Sequence, residues 1–215
     1  MILACELHHT TCMINRMGYR TPDPDNPRVQ STRDRILAAA RELLAETGPA
    51  GLTYSLLADR AGVTRQTLYR HWPARSGLLV DLILEGSVGG YPEPGTDPAA
   101  VAAAWLASLR QGLLDPARRA AVLAVTAQAD TDPDSAQALA QLMADRIAAL
   151  NKLLEPSGVQ VSLEDYPLLY GPVMARMVFE RAEVTDDFIA SVVNHWLAAG
   201  PAASQLTRLP PPVPL

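Results

Sequence analysis

The sequence predicts an all-α protein with a small N-terminal helical domain and a larger C-terminal helical domain. Glycine is scarce, with 13 of 215 residues, and 48% of the chain is hydrophobic. Apolar residues recur every three to four positions, which is the spacing of amphipathic helices. Proline and glycine are concentrated at residues 89–98, and we place the domain boundary there.

Composition narrows the possible classes of protein. No apolar run approaches the roughly 18–20 residues that a membrane span needs, and no secretory signal is visible. A chain with two cysteines and no visible export signal is not expected to have a disulfide scaffold. The cytoplasm is therefore the expected location. Residues 28–80 contain eight basic and four acidic side chains, whereas residues 81–215 contain eight and sixteen. This asymmetry indicates a polyanionic partner for the N-terminal domain, with ordinary surface variation as the alternative.

Residues 1–30 are predicted to be a leader without regular structure, because Thr21–Pro27 contains three prolines. Four potential zinc ligands lie in this leader: Cys5, His8, His9 and Cys12. Such a tail lacks the enclosing fold and supporting hydrogen bonds of known zinc sites, so we predict neither a metal nor a cofactor. Translation that truly starts at Met13 or Met17 is an alternative explanation of these residues.

The first helix is predicted to begin at Ser31 or Thr32 and to end near Thr47, before Gly48 and Pro49. Its apolar face contains Ile36, Ala40, Leu43 and Leu44. This face is expected to pack against the helices that follow.

Residues 52–72 are predicted to form a helix-turn-helix. Thr53 caps its first helix, Gly62 permits the tight turn, Val63 fills the corner, and Thr64 caps its second helix. The inward residues of the first helix are expected to be Leu56, Leu57 and Ala61.

The second helix of this motif has an inward and an outward face. At 100° per residue, Leu68 and Trp72 lie about 40° apart and face inward. The outward residues are Arg65, Gln66, Thr67, Tyr69 and Arg70. Glutamine and arginine pair with adenine and guanine, and hydroxyl groups bind phosphate. No acidic residue occurs between Ala61 and Val80, which favours DNA binding over a solvated helix face.

A longer pattern surrounds these residues: Thr53, Leu57-Ala58, Ala61-Gly62-Val63-Thr64, Thr67-Leu68-Tyr69, His71-Trp72, Arg75 and Leu78. It resembles the DNA-binding domain of TetR-family transcriptional regulators over about residues 31–84. The resemblance implies that Tyr69 contacts phosphate, that Thr53 caps a helix against the DNA backbone, and that the recognition helix enters the major groove. The predicted DNA-binding residues are Thr53, Thr64, Arg65, Gln66, Thr67, Tyr69, Arg70, His71 and Arg75.

Three positions depart from the usual family pattern. Arg75 replaces the common lysine and keeps its charge for a phosphate contact. Gln66 stands where a small residue is common, which changes the contacts that the helix can make in the groove. Ala74 stands where a capping serine is common, which weakens the start of the fourth helix. His71 is expected to pack or to contact phosphate.

The DNA-binding domain is predicted to span residues 31–88, and the C-terminal domain residues 98–200, followed by a proline-rich tail at 201–215. Helices are expected at about 75–88, 98–113, 117–129, 133–155, 163–180 and 185–199. Pro172 should kink the penultimate helix. The last two helices resemble those that form a four-helix dimer interface in one TetR subgroup.

The resemblance implies a C-terminal pocket for a small apolar or aromatic effector. Its candidate lining residues are Trp105, Met143, Tyr166, Tyr170 and Met174, with core or dimer-interface packing as the alternative for each. The sequence contains no catalytic motif, so we do not expect an enzyme. It is expected to be a homodimeric repressor of transcription that binds double-stranded operator DNA; an effector-independent architectural DNA-binding protein is the alternative.

Overall fold

The computed structural model describes residues 27–85 and 92–199, and within them it contains nine α-helices and no β-strand. The predicted all-α class is therefore confirmed. The helices are α1 (Pro27–Gly51), α2 (Tyr54–Ala61), α3 (Arg65–His71), α4 (Arg75–Glu85), α5 (Pro98–Leu113), α6 (Pro116–Ala129), α7 (Pro133–Leu154), α8 (Asp165–Met174) and α9 (Asp186–Ala199). No helix in these two ranges is both long and apolar enough to cross a membrane.

Several predictions lie outside the described residues. They concern Cys5, His8, His9 and Cys12 in the leader, the glycine-rich part of the break before Pro92, and the tail beyond Ala199.

Helix α1 begins earlier than its sequence suggested. Its first residue is Pro27, so Ser31 and Thr32 lie inside the helix and do not cap it. Proline is tolerated at the first helical position, where the N–H that it lacks would have no partner in the helix. The helix was predicted to end near Thr47, but α1 continues to Gly51 across a break at Gly48, which adopts a φ of 67° and a ψ of −171°.

The chain divides into two compact units. Unit 1 contains α1–α4, α6 and the first part of α7; unit 2 contains α5, the end of α7, α8 and α9. Helix α6 packs against both α1 and α4, so the helix-turn-helix shares its core with a helix that lies beyond the predicted domain boundary. Alanines on α6, among them Ala117, Ala121 and Ala124, are buried and allow this close approach.

The core of unit 1 contains side chains from each of its helices, including Ile36, Leu37, Leu44, Leu57, Leu68, Trp72, Leu79, Val125 and Leu142. Burial of each large side chain contributes about 1.5–3 kcal/mol. Because α2 and α3 are short, this shared core is what keeps them in place.

In unit 2, α9 packs against both α5 and α8. Trp105 and Leu106 of α5, Leu169 of α8, and Ile189 and Val193 of α9 are buried. A turn of π-helix, Ala175–Phe179, follows α8 shortly after Pro172, where the sequence predicted a disturbance.

Candidate nucleic-acid interface

Helix α2 is bounded by the residues that the sequence predicted. The Thr53 hydroxyl accepts a hydrogen bond from the Leu56 N–H at 3.3 Å. Gly62 ends the helix in the left-handed conformation, with φ 62° and ψ 41°, which favours glycine. These two local signals fix the length of α2 and the start of the turn to α3.

The prediction that Leu56 faces inward is wrong, since 48% of this side chain is exposed. The buried residues of α2 are Leu57, Ala58 and Ala61. At 100° per residue, Leu56 lies about 150° from the centre of that buried face. A helix of eight residues has room for one narrow apolar stripe, and Leu57 occupies it.

The start of the recognition helix α3 is fixed by Thr64. Its hydroxyl accepts a hydrogen bond from the Thr67 N–H at 3.1 Å and lies 3.0 Å from the Thr67 hydroxyl. Leu68 is completely buried and Trp72 is 4% exposed, so the predicted inward pair is confirmed.

The outer face of α3 contains the predicted DNA-binding side chains. Arg65, Gln66, Tyr69 and Arg70 are exposed, and Thr67 is partly exposed. The Tyr69 ring meets the Tyr54 ring edge to face, with centroids 4.9 Å apart. This contact places the start of α2, with the exposed Thr53, beside the outer face of α3.

Arg75 has a partner within the protein that the sequence did not suggest. Its Nη2 donates a hydrogen bond to the carbonyl oxygen of Pro49, in the segment after the break in α1. The guanidinium is about half buried, and this desolvation lowers the pKa of Arg75. The predicted phosphate contact would have to use N–H groups of the two terminal nitrogens, because Nε of Arg75 is buried.

His71 is the last residue of α3, and its ring centroid lies 5.5 Å from that of Trp72. Burial lowers the pKa of His71, and the nearby positive charges of Arg70 and Arg33 lower it further. These effects favour the neutral imidazole, which suits packing against Trp72 better than it suits a charge contact with phosphate.

Two hydrogen bonds hold the end of α3, and neither was anticipated. The Tyr54 hydroxyl donates to the carbonyl oxygen of Trp72 at 2.6 Å, and the Trp72 indole N–H donates to Oδ2 of Asp81 at 2.6 Å. Arg33 forms an ion pair with the same carboxylate oxygen at 2.8 Å. Burial and the adjacent Tyr69 raise the pKa of Tyr54 further above neutral pH, where tyrosine is already a protonated donor.

The candidate effector residues are divided between the two units. Trp105 and Tyr166 are buried in unit 2, where Tyr170 packs against Tyr166 with ring centroids 4.7 Å apart. Met174 is partly buried in the same unit, whereas Met143 packs against the core of unit 1. The guanidinium of Arg146 stacks on the Trp105 ring at 4.6 Å.

An apolar groove lies between α8 and α9. It encloses about 300 Å³ and is lined by Leu168, Pro172, Ser191, Val192, His195, Trp196 and Ala199. Leu168 is 55% exposed although it is apolar. An open apolar groove of this kind is typical of a protein-protein contact.

Comparisons with known proteins agree with the all-α fold and with a helix-turn-helix in unit 1. Residues 36–82 match the family described as bacterial regulatory proteins, tetR family. YdeS of Bacillus subtilis (strain 168), an uncharacterized HTH-type transcriptional regulator, is 24% identical over 178 residues, which are 78% of this chain and 88% of YdeS.

Two solved structures have a similar fold. The TetR family transcription regulator SCO0332 is 26% identical, with a TM-score of 0.59 over 78% of this chain and 97% of its own. The multidrug binding protein EbrR, solved in complex with imidazole, is 17% identical, with a TM-score of 0.54 over 76% of this chain and 93% of its own.

Proposed function

The chain belongs to the TetR family of transcriptional regulators, and from this premise we propose that it is a homodimeric repressor released from its operator by a small molecule. Members of this family bind DNA and are not enzymes, in agreement with the lack of a catalytic motif in the sequence. Since its partner is DNA, we place the protein in the bacterial cytoplasm. The observation that carries the proposal is the exposed outer face of α3.

The outer face of α3 supports sequence-specific DNA binding. Gln66 and Arg70 are exposed one turn apart, where each can reach a base edge in the major groove. The hydroxyls of Thr53, Thr64 and Tyr69 border this face and suit phosphate oxygens, which fix the position of the protein without selecting a sequence. The division of roles is therefore that α3 selects bases and its borders bind the backbone.

The groove between α8 and α9 supports dimerisation. A two-fold DNA-binding protein needs its recognition helices about 34–36 Å apart, one turn of the double helix. If the groove of one subunit packed against the same groove of a second subunit, the exposed side chain of Leu168 would be covered. In the four-helix interface that the sequence resembles, α8 and α9 of each subunit take part.

The aromatic pair of unit 2 supports an apolar or aromatic effector. Tyr166 and Tyr170 stack in α8, with Met174 one turn further along the same helix. EbrR, which shares the fold, is a multidrug binding protein. An effector that binds another arrangement of the dimer more tightly than the DNA-bound arrangement would shift the protein toward that other arrangement. The operator affinity would fall as a result, to an extent set by the difference between the effector's two affinities.

Gel shifts on the DNA upstream of the gene, followed by variants of α3, test DNA binding. Tyr69→Phe removes one phosphate ligand and should weaken binding to all sequences by a similar factor, about 2–10-fold. Gln66→Ala and Arg70→Ala should instead change base preference, with about 1–3 kcal/mol lost at each contacted base. The preferred bases are measured by selection from a randomised duplex library.

Leu114→Ala is the control for these variants, because Leu114 is exposed and lies outside the helix-turn-helix. It should leave both affinity and base preference unchanged. Wild-type binding that does not weaken with increasing salt, or no binding at all, would contradict the proposed function.

A panel of apolar and aromatic compounds tests the effector. A true effector present at about 100 times its Kd should stabilise the free protein by about 2.7 kcal/mol, raise its melting temperature and weaken its DNA complex. Tyr170→Leu should reduce this response while leaving operator binding in the absence of compound unchanged. A broad panel without any response would favour the alternative, an effector-independent DNA-binding protein.

A further inference from the structure

One carboxylate joins three helices at the end of the recognition helix. Oδ2 of Asp81, on α4, accepts the indole N–H of Trp72 at 2.6 Å and pairs with Nη2 of Arg33, on α1, at 2.8 Å. The Arg33 guanidinium also lies 5.8 Å from the centre of the Trp72 ring. Trp72 is the residue that ends α3, so α1, α3 and α4 meet at a single oxygen atom.

The carboxylate and the indole at this junction are largely shielded from water, while Arg33 is partly exposed. The side chain of Asp81 is 16% exposed, that of Arg33 is 35% exposed, and Trp72 is 4% exposed as a residue. Hydrogen bonds to a charged acceptor contribute more than neutral ones, and the contribution grows where solvent screening is weak. The carbonyl group of Trp72 is held independently by Tyr54, so the end of α3 is fixed at two atoms of one residue.

Fixing this end matters for DNA binding because α3 is short. A helix of seven residues does not hold a position by itself, and its direction depends on its contacts with neighbouring helices. Tyr69 and Arg70 lie in its last turn, three and two residues before Trp72. A displacement of about 1 Å at this end would take both side chains out of reach of their hydrogen-bond partners on DNA.

We propose that Asp81 is a positioning residue for DNA binding: it holds Trp72, and through it the last turn of α3, in the orientation that the operator requires. The inference rests on the DNA-binding function proposed above. Asp81 itself does not touch DNA in this proposal. Its effect on affinity should therefore depend on the Trp72 indole N–H.

Asp81→Asn removes the charge and keeps the shape of the side chain, whereas Trp72→Phe removes the donor and keeps an aromatic ring. Each should weaken operator binding about tenfold, and the double variant should be no more than about twofold weaker than either single variant. Affinities are measured by fluorescence anisotropy on a duplex selected by the wild-type chain, at a temperature where each variant is fully folded. The Trp72 indole N–H resonance is identified in ¹⁵N spectra as the one that disappears in Trp72→Phe. In the Asp81→Asn chain without DNA, this resonance should shift.

Glu46→Gln is the matched control. It also neutralises one carboxylate of unit 1, and it breaks the Glu46–Arg60 ion pair between α1 and α2 without touching the end of α3. Its operator affinity should equal that of the wild-type chain. If Asp81→Asn and Trp72→Phe, both folded, bind the operator as tightly as the wild type, or if their losses add in full, the positioning role is overturned. Failure of the wild-type chain to bind DNA would instead overturn the proposed function and this inference with it.

Discussion

Replacement of Leu168 by glutamate is expected to convert the dimer into monomers and to weaken operator binding by about 10²–10⁴-fold. A dimer gains affinity by about this factor because it binds two half-sites of the operator at once. Leu168 is 55% exposed and lines the groove between α8 and α9 together with Pro172, Val192 and Trp196. In the proposed dimer a glutamate here would be buried in a mainly apolar groove, and the cost of removing its charge from water would oppose association. Light scattering after gel filtration measures the mass, and gel shifts measure the affinity.

Leu114→Glu provides the control for this experiment. Leu114 is 56% exposed, nearly the same as Leu168, but it lies between α5 and α6 and does not line the groove. This variant should remain dimeric and bind the operator normally. A Leu168→Glu chain that stays dimeric while retaining full affinity would show that the dimer forms through another surface.

The helix-turn-helix could be predicted from the sequence because its signals are local. Thr53 and Thr64 each cap the helix that follows directly, and Gly62 supplies the left-handed residue of the turn within the same short stretch. Angular spacing along one helix was sufficient to place Leu68 and Trp72 inside. The prediction for Leu56 was wrong because this spacing was not applied to α2, where it places Leu56 on the side opposite the buried Leu57, Ala58 and Ala61.

The contacts between distant parts of the chain could not be predicted in this way. Arg33, on α1, pairs with Asp81 on α4, and Arg75, which is predicted to contact DNA, also donates a hydrogen bond to Pro49. Nothing in the local sequence of either arginine indicates its partner, because the pairing is decided by how the helices pack. The local sequence of α6 likewise does not indicate that its buried alanines belong to the core of unit 1, because this too depends on how the helices pack.

The packing of Leu68 is expected to dominate the stability of the DNA-binding helices. Leu68→Ala should lower the free energy of unfolding by about 2–5 kcal/mol, because it removes a fully buried side chain and leaves a cavity. The cavity would lie beneath the outer face of α3, so operator binding should fall together with the folded fraction. Urea denaturation followed by far-ultraviolet circular dichroism measures the change in free energy.

The appropriate comparison is Leu56→Ala, the same substitution in the neighbouring helix at a side chain that is 48% exposed. Surface substitutions of this kind usually change stability by no more than about 0.5 kcal/mol. Both variants change leucine to alanine within the same motif. The difference between their changes in free energy of unfolding therefore reports how much more deeply Leu68 is buried than Leu56. If Leu56→Ala and Leu68→Ala lowered the free energy of unfolding equally, Leu56 would have to be buried like Leu68. That result would contradict the assignment of Leu57, and not Leu56, to the buried stripe of α2. Such a result would also remove the basis for assigning Gln66 and Arg70 to DNA, because their outward direction is defined relative to Leu68.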